Sequence, residues 1–247
     1  MNASENPPAV LPNVAPARNL IAPAWHTVLL VAVLLIFSLA SADSKSEFTD
    51  EHGRMPIYVM TLAWEWLLTL YVAWSLRSSG KRLRDILGDR WAHPMDAVMD
   101  VTIAAGFWMV SALVLAGMAY VLGLAEPENI QNARKQVSFL FPQTTAEVIT
   151  WILLSATAGF CEEVIFRGYL QTQLARMGGA AWIGIVGQAL VFGGAHAYEG
   201  WQRMIIIGVW GSMFGGLALL RRNLRPGMMA HTFHDLLVGL VGRVLLR

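Results

Sequence analysis

Long apolar runs constrain this chain more than any other feature of its sequence. A helix needs ~20 apolar residues to cross a bilayer, and seven stretches approach that length. Only 14% of the 247 residues are charged, against about 25% in a soluble domain. The two-residue alternation of a membrane barrel is missing. The sequence therefore predicts an all-α, polytopic transmembrane helical bundle with about seven spans (six to eight). The predicted spans run over residues 24–42, 56–76, 98–122, 146–166, 181–197, 203–220 and 227–245.

Composition also excludes several classes of protein. A net charge of +1 offers no basic surface for a phosphate backbone, so nucleic acid is not expected as a partner. The single cysteine, Cys161, excludes a disulfide framework and CxxC-type zinc sites. Small residues recur in the later runs, including a GxxxG match from Gly211 to Gly215, and they indicate close helix packing.

The chain is expected to divide into three parts. Residues 1–23 contain five prolines and are predicted to be a disordered leader, and residues 24–144 to be N-terminal transmembrane helices. Residues 145–247 carry the polar clusters considered below. The first run ends in Ser38-Leu-Ala-Ser-Ala42, which resembles a signal-peptidase site. An uncleaved first helix is favoured, because the run is long and only Arg18 adds positive charge ahead of it.

Two basic loops predict the orientation of the bundle. Loops rich in Lys and Arg stay in the cytoplasm, and these two are separated by four predicted crossings. The amino terminus is therefore predicted to be cytoplasmic and the carboxyl terminus external, although Arg243 and Arg247 do not fit this pattern. The basic residues are Arg77, Lys81, Arg82, Arg84 and Arg90 in the first loop and Arg221, Arg222 and Arg225 in the second.

The first polar cluster, Cys161-Glu-Glu-Val-Ile-Phe-Arg167, lies at the end of an apolar run. Glu163 and Arg167 are four residues apart, with the acid first, which favours an ion pair on a helix. Glu162 lies ~100° around the helix from Glu163 and is left without this partner. A structural ion pair is the favoured interpretation of Glu163 and Arg167, whereas Glu162 has the character of a tuned general base.

The other two clusters contain histidines. Phe192-Gly-Gly-Ala-His196 ends one run, and the adjacent glycines allow close approach of another backbone or a substrate. An antiparallel hairpin around the turn at 177–180 would return His196 to nearly the depth of Glu162. In His231-Thr-Phe-His234-Asp235, His231 and Asp235 share one helical face, and the Asp can fix the tautomer of His231 or His234. Structural histidines remain the alternative for both clusters, and the depth of His231 is left open.

Taken together, these motifs resemble the three-motif signature of the CAAX-processing and bacteriocin-processing family of intramembrane endopeptidases (CPBP, or Abi). The matching patterns are Glu162-Glu163-x-x-x-Arg167, Phe192-x-x-x-His196 and His231-x-x-x-Asp235. The resemblance covers residues 145–245 and implies that 145–247 is the catalytic core. It implies a glutamate-dependent peptidase without an obligatory metal or other cofactor.

The resemblance also implies a role for each matching residue. Glu162 and His196 would activate water, and His231 and Asp235 would stabilise the oxyanion. The supporting residues would be Glu163, Arg167, Phe192 and His234. The last motif position is often Asn in the prenyl-protein proteases, and here it is Asp235. An ionised Asp only accepts hydrogen bonds, so it must be protonated or must orient His231.

The predicted function is hydrolysis of peptide bonds in membrane-tethered proteins or peptides, by a multi-pass protein of the cell membrane that contacts the lipid bilayer. One alternative is a zinc metalloprotease that uses Glu162, His196 and His231 as ligands. The other is a non-catalytic membrane binding or transport protein, because intramembrane charges also mark transport paths.

Overall fold

The computed structural model describes residues 19–40, 51–124, 126, 128, 131 and 140–245. This part of the chain is helical and contains no strand, which confirms the all-α prediction. The helices are α1 (Ala24–Ala40), α2 (Met55–Arg77), α3 (Arg84–Leu87), α4 (Pro94–Val121), α5 (Thr145–Gly178), α6 (Ala181–Ala195), α7 (Trp201–Arg221) and α8 (Arg225–Leu245). A short 3-10 turn, Ala197–Glu199, joins α6 to α7.

Local sequence signals explain where the longer helices begin and end. Helix α5 starts with a reciprocal capping box, in which Glu147 N–H donates to Thr144 and Thr144 N–H donates to the Glu147 carboxylate. Helix α4 starts at Pro94, and proline suits the first turn of a helix because the N–H that it lacks would have no helical partner there. Helix α5 ends before Gly179, whose φ of 78° suits glycine and reverses the chain into α6.

Every predicted span corresponds to a helix, although the helices differ in how well they could cross a bilayer. Among the described residues, four helices, α2, α4, α5 and α7, are long and apolar enough to cross a membrane. Helices α1 and α6 are apolar but have only 17 and 15 residues. Helix α8 has 21 residues, and polar side chains including His231, Asp235 and Arg243 lower its hydropathy. The prediction of about seven spans is thus approximate.

The outer surface of the bundle has the character of a lipid-facing one. Large apolar side chains such as Leu113, Leu190 and Leu220 are more than two-thirds exposed. A water-soluble monomer rarely exposes apolar surface on this scale. Together with the long apolar helices, this surface identifies a membrane protein.

The predicted disordered leader differs from the structure in its last five residues, 19–23. Ile21 and Ala22 are buried, and the Ile21 N–H donates to the side-chain oxygen of Gln173 at 2.9 Å. The Gln173 amide in turn donates to the Ala22 carbonyl at 2.6 Å. The side chain of Gln173 thus both accepts from and donates to the backbone of residues 21–22. Residues 1–18, which include Arg18, lie outside the described residues, as do residues 41–42 of the signal-peptidase-like sequence and Arg247.

Helix α5 is longer than predicted and lies at the centre of the bundle. It continues past residue 166 to Gly178, and its middle segment, Glu163–Leu170, is a π-helix. Helices α2 and α8 pack against its first half and α6 against its last part. A Cβ on Gly159 would come within 2.8 Å of the Met228 carbonyl oxygen, so glycine permits the close crossing of α8.

The turn between α7 and α8 meets α5 near its middle. Leu224 packs against Gly168, and the Leu224 N–H donates to the Leu87 carbonyl at 3.1 Å. This contact places the two basic loops on one side of the bundle, as the topology prediction requires. It also answers the question left open for His231, because α8 begins beside Gly168 and reaches Glu163 within two turns.

Candidate active site

The π-helical segment of α5 holds a fully enclosed ion pair. Glu163 and Arg167 are 1% and 2% exposed, and Nη1 of Arg167 lies 3.0 Å from Oε1 of Glu163. The guanidinium lies 4.3 Å from the ring centre of Phe192 and 5.0 Å from that of Phe214. Stacking on aromatic faces stabilises a desolvated Arg. The expected ion pair is therefore present, and Phe192 packs directly on its cation.

His231 connects this ion pair to Glu162 and Asp235. Its Nδ1 donates to Oε1 of Glu163 at 3.2 Å, since a carboxylate can only accept. Its Nε2 faces Oε2 of Glu162 at 3.5 Å and Oδ2 of Asp235 at 3.6 Å. Both distances exceed the usual 2.7–3.2 Å of an N–H···O bond. Nε2 therefore lies between two carboxylates and remains available to a third group.

From the sequence, Asp235 could fix the tautomer of either His231 or His234. The structure gives that position to Glu163, which holds Nδ1 of His231. Asp235 faces the other ring nitrogen, and its backbone carbonyl accepts from Nε1 of Trp151 at 3.0 Å. His234 packs on Trp210, with 4.6 Å between ring centres, and is a neighbour of the cluster.

Aromatic rings enclose the buried side of this cluster. The ring of His231 lies 4.9 Å from Trp210, 5.5 Å from Phe214 and 6.3 Å from Phe192, centre to centre. A Cβ on Gly211 would come within 2.8 Å of the Phe192 ring, so the small residue lets α7 approach the site. Rings on several sides exclude water and strengthen the electrostatic interactions between the charged groups.

His196 directly follows α6 and lies next to Phe192. Its Nδ1 donates to the Phe192 carbonyl at 2.8 Å, and the two rings are 4.9 Å apart. A carbonyl cannot donate, so this bond leaves the lone pair of a neutral His196 on Nε2. That nitrogen can accept a hydrogen bond from water. His196 also acts electrostatically on Asp235, which places both within one polar region.

The 3-10 turn after His196 brings the phenol group of Tyr198 close to the His196 ring. The rings of Tyr198 and His196 are 6.0 Å apart, and Tyr198 also interacts electrostatically with Glu162. Burial raises the pKa of Tyr198 well above its ordinary value, and nearby Glu199 raises this pKa further. Tyr198 therefore keeps its proton and can act as a donor. The motifs did not point to this residue.

Sequence reasoning also missed Glu65, which α2 contributes from the amino-terminal part of the chain. Its side chain is 7% exposed, and its carboxyl group lies within hydrogen-bonding distance of that of Glu162. A signal was available, since Glu65 is the one acidic residue in an otherwise apolar helix. Charges inside spans are costly and usually functional.

No group of three or more His, Cys, Asp or Glu side chains within the described ranges is arranged to hold a metal ion. The zinc alternative requires Glu162, His196 and His231 to converge on one ion. His196 directs Nδ1 to its own helix and His231 directs Nδ1 to Glu163, so each has only Nε2 to offer a metal. Chelation decides this alternative, as described below.

Comparison with known proteins found a similarity in the carboxyl-terminal part of the chain. A family model described as Rce1-like, type II CAAX prenyl endopeptidase, matches residues 144–237. Searches of curated proteins and of solved structures found no match. The matched segment begins at the N-cap of α5 and ends two residues after Asp235, so it includes every site residue predicted from the sequence and omits Glu65. Over residues 144–237, the chain is therefore similar to the type II CAAX prenyl endopeptidases.

Proposed function

We propose that this protein is an intramembrane endopeptidase that hydrolyses peptide bonds of membrane-tethered proteins or peptides with water activated by Glu162. One observation carries the proposal. Nε2 of His231 lies 3.5 Å from Glu162 and 3.6 Å from Asp235, inside an aromatic enclosure. A candidate base and a candidate donor thus lie side by side, as water activation and oxyanion stabilisation require.

The first step is attack of water on the scissile carbonyl. Glu162 accepts a proton from the water, and Nε2 of His196 accepts a hydrogen bond from its other O–H. The hydroxide oxygen forms a bond to the carbonyl carbon, and the carbonyl electrons move to oxygen. The N–H of His231 Nε2 donates to this oxyanion, and water exclusion makes that bond strong. Glu162 then returns its proton to the leaving amine as the carbon–nitrogen bond breaks.

Asp235 acts through His231 in this mechanism. Its carboxylate only accepts, so it does not donate to the oxyanion as an Asn would. Its negative charge 3.6 Å from Nε2 favours the protonated imidazolium of His231, to which Glu163 contributes on the other side. A cationic donor stabilises an oxyanion more strongly than a neutral amide. The Asp at this position therefore suits peptide hydrolysis through His231.

We place the protein in the cell membrane with its amino terminus in the cytoplasm. The contact between the two basic loops supports a common side for both, and basic loops stay in the cytoplasm. Prenylated tails, bacteriocin leaders and partners of sorting systems are all membrane-associated substrates of the proposed class.

The test compares membranes containing the wild-type protein with membranes containing Glu162→Gln, His196→Ala or the control Glu51→Gln, whose carboxylate is solvent-exposed. Peptidomics of the membrane fraction identifies cleaved substrates. We expect both site variants to lower cleavage ~10³-fold, the order contributed by general acid–base catalysis, while the control cleaves normally. Undiminished cleavage by Glu162→Gln in a folded protein would remove the proposed base.

The same assay tests the zinc alternative. Purified protein is treated with a zinc chelator and its metal content is measured. Full activity in metal-free protein supports water activation by Glu162. Activity lost on chelation and restored by zinc would favour the metalloprotease. Substrates that remain intact with wild-type protein, while still bound, would favour a non-catalytic binding protein.

A further inference from the structure

Glu65 brings a third carboxyl group to the region of Glu162, from outside the matched segment. It lies on α2, 97 positions before Glu162, and it is almost completely buried. Helices α2 and α5 pack directly together along this part of the bundle. The two carboxyl groups are within hydrogen-bonding distance of each other. Two neighbouring acidic groups with little access to solvent are rarely both ionised, because they are poorly solvated and they repel each other.

The hydrogen-bond inventory of the two groups points to a proton between them. Within the described ranges, no N–H or O–H group donates to Oε2 of Glu65 or to Oε2 of Glu162, and both atoms are shielded from solvent. Buried oxygens in native proteins nearly always have a donor. An ionised carboxylate has none to offer. If one of the two carboxyl groups keeps its proton, its O–H supplies the missing donor for the other.

The surroundings decide which group keeps the proton. The charged groups that act on Glu65 are acidic, namely Glu162 on α5 and Asp235 on α8. Cys161 on α5 and Tyr198 on the 3-10 turn also interact with Glu65 and carry no positive charge. Glu162, in contrast, faces Nε2 of His231 at 3.5 Å. A cation favours the ionised form, so Glu162 is the carboxylate and Glu65 the acid.

We propose that Glu65 is a protonated positioning residue, whose O–H donates to the Glu162 carboxylate and holds it in the orientation needed to take a proton from water. The catalytic meaning of this contact depends on the proposed function, but the contact itself does not. The proton on Glu65 is not consumed. Glu162 receives one proton from water and passes it to the leaving amine, while Glu65 remains neutral throughout. In this proposal, α2 supplies a hydrogen-bond donor to Glu162 that the carboxyl-terminal motifs do not provide.

Two substitutions at Glu65 separate a donor from a base. The side chain of Gln can still donate to Glu162, whereas Leu of similar size cannot. We expect Glu65→Leu to lower cleavage of a quenched fluorescent peptide, anchored by an acyl chain in phospholipid vesicles, roughly 10- to 100-fold, as loss of a charge-assisted hydrogen bond predicts. Glu65→Gln should restore most of this rate. Equal loss in both variants, or wild-type rates in both, would overturn the positioning role. Thermal unfolding in detergent verifies that each variant is folded.

Infrared spectroscopy tests the shared proton without a substrate. A protonated carboxyl group has a carbonyl stretch that a carboxylate lacks. We expect one such band at neutral pH to disappear in Glu65→Gln, to move in Glu162→Gln because its acceptor changes, and to stay in place in Glu51→Gln. The contact is contradicted if the frequency of the band is unchanged in Glu162→Gln, or if no band disappears in Glu65→Gln. If Glu162→Gln cleaves normally, the proposed function fails while the infrared result still decides the pair.

Discussion

Two polar clusters in the described part of the protein differ in how completely their atoms are satisfied. The first, here the His26 cluster, consists of His26 and Thr27 on α1, Ser75 on α2 and Tyr169 on α5. Ser75 Oγ lies 2.9 Å from both His26 Nδ1 and the Tyr169 hydroxyl, which lies 3.2 Å from Thr27 Oγ1. Each polar group therefore has a partner. These are neutral groups that close on one another and join three helices.

The second cluster, here the candidate active-site cluster, is formed by Glu65, Glu162, Glu163, Arg167 and His231 and has the opposite character. It is charged, and some of its buried atoms lack a hydrogen-bond partner among the described residues, including Oε2 of Glu163 and Nε of Arg167. Unsatisfied buried groups are costly, so a fold retains them where a substrate or water will complete them. Both clusters contain a histidine, so a buried histidine alone does not indicate a functional site. The two clusters differ in whether their buried polar atoms have hydrogen-bond partners.

Breaking the enclosed ion pair should produce the largest change in stability. Arg167→Met leaves Glu163 buried with only His231 beside it, and breaking a buried ion pair in this way typically costs 3–5 kcal/mol. We expect a loss of roughly this size in the free energy of unfolding, measured by denaturing detergent titration of solubilised protein. The double variant Glu163→Gln with Arg167→Met should recover much of it, because the uncompensated charge is removed. A loss below ~1 kcal/mol in the single variant would mean that water reaches Glu163.

The His26 cluster should respond to substitution in a different way. Ser75→Ala removes a group that contacts both His26 and Tyr169 and leaves those partners unsatisfied, so we expect a cost of ~1–3 kcal/mol in unfolding free energy. The rate of cleavage should stay at the wild-type value. Ser79→Ala, an exposed serine four residues further along the chain, is the matched control and should change neither quantity. Cleavage that falls with Ser75→Ala in a folded protein would erase the distinction between the clusters.

The sequence predicts groups that lie on one helix better than groups that meet across helices. The pairing of Glu163 with Arg167 follows from helical spacing alone, because both residues share one turn. The partner of His231 Nδ1 does not, since Glu163 lies 68 positions away in the chain. Glu65 is further removed still. Its isolation in an apolar helix signals importance, but only the packing of α2 on α5 shows which group it faces.

The extent of α5 shows the same limit for the fold. Hydropathy ends the predicted span at residue 166, because Arg167, Gln171 and Gln173 are polar. In the structure each of these side chains donates to a backbone carbonyl, at Gly211, Gly215 and Ala22 respectively. Such partners come from other helices or from the segment before α1, and their positions depend on tertiary packing. The helix therefore continues where composition alone predicts an end.

His234 provides the smallest expected effect and lies at the edge of the candidate active-site cluster. It belongs to the third motif, yet its ring packs on Trp210 at 4.6 Å and lies outside the set of carboxylates around His231. His234→Phe keeps an aromatic ring of similar size at this position. We expect cleavage to change by less than about threefold, because a packing-conserving change away from the reacting groups costs a few tenths of a kcal/mol. His231→Phe is the contrasting variant, since it removes the proposed donor to the oxyanion. If His234→Phe lowered the cleavage rate as much as His231→Phe, both histidines would belong to the candidate active-site cluster. His234 would then be a functional group and not only a packing neighbour of Trp210.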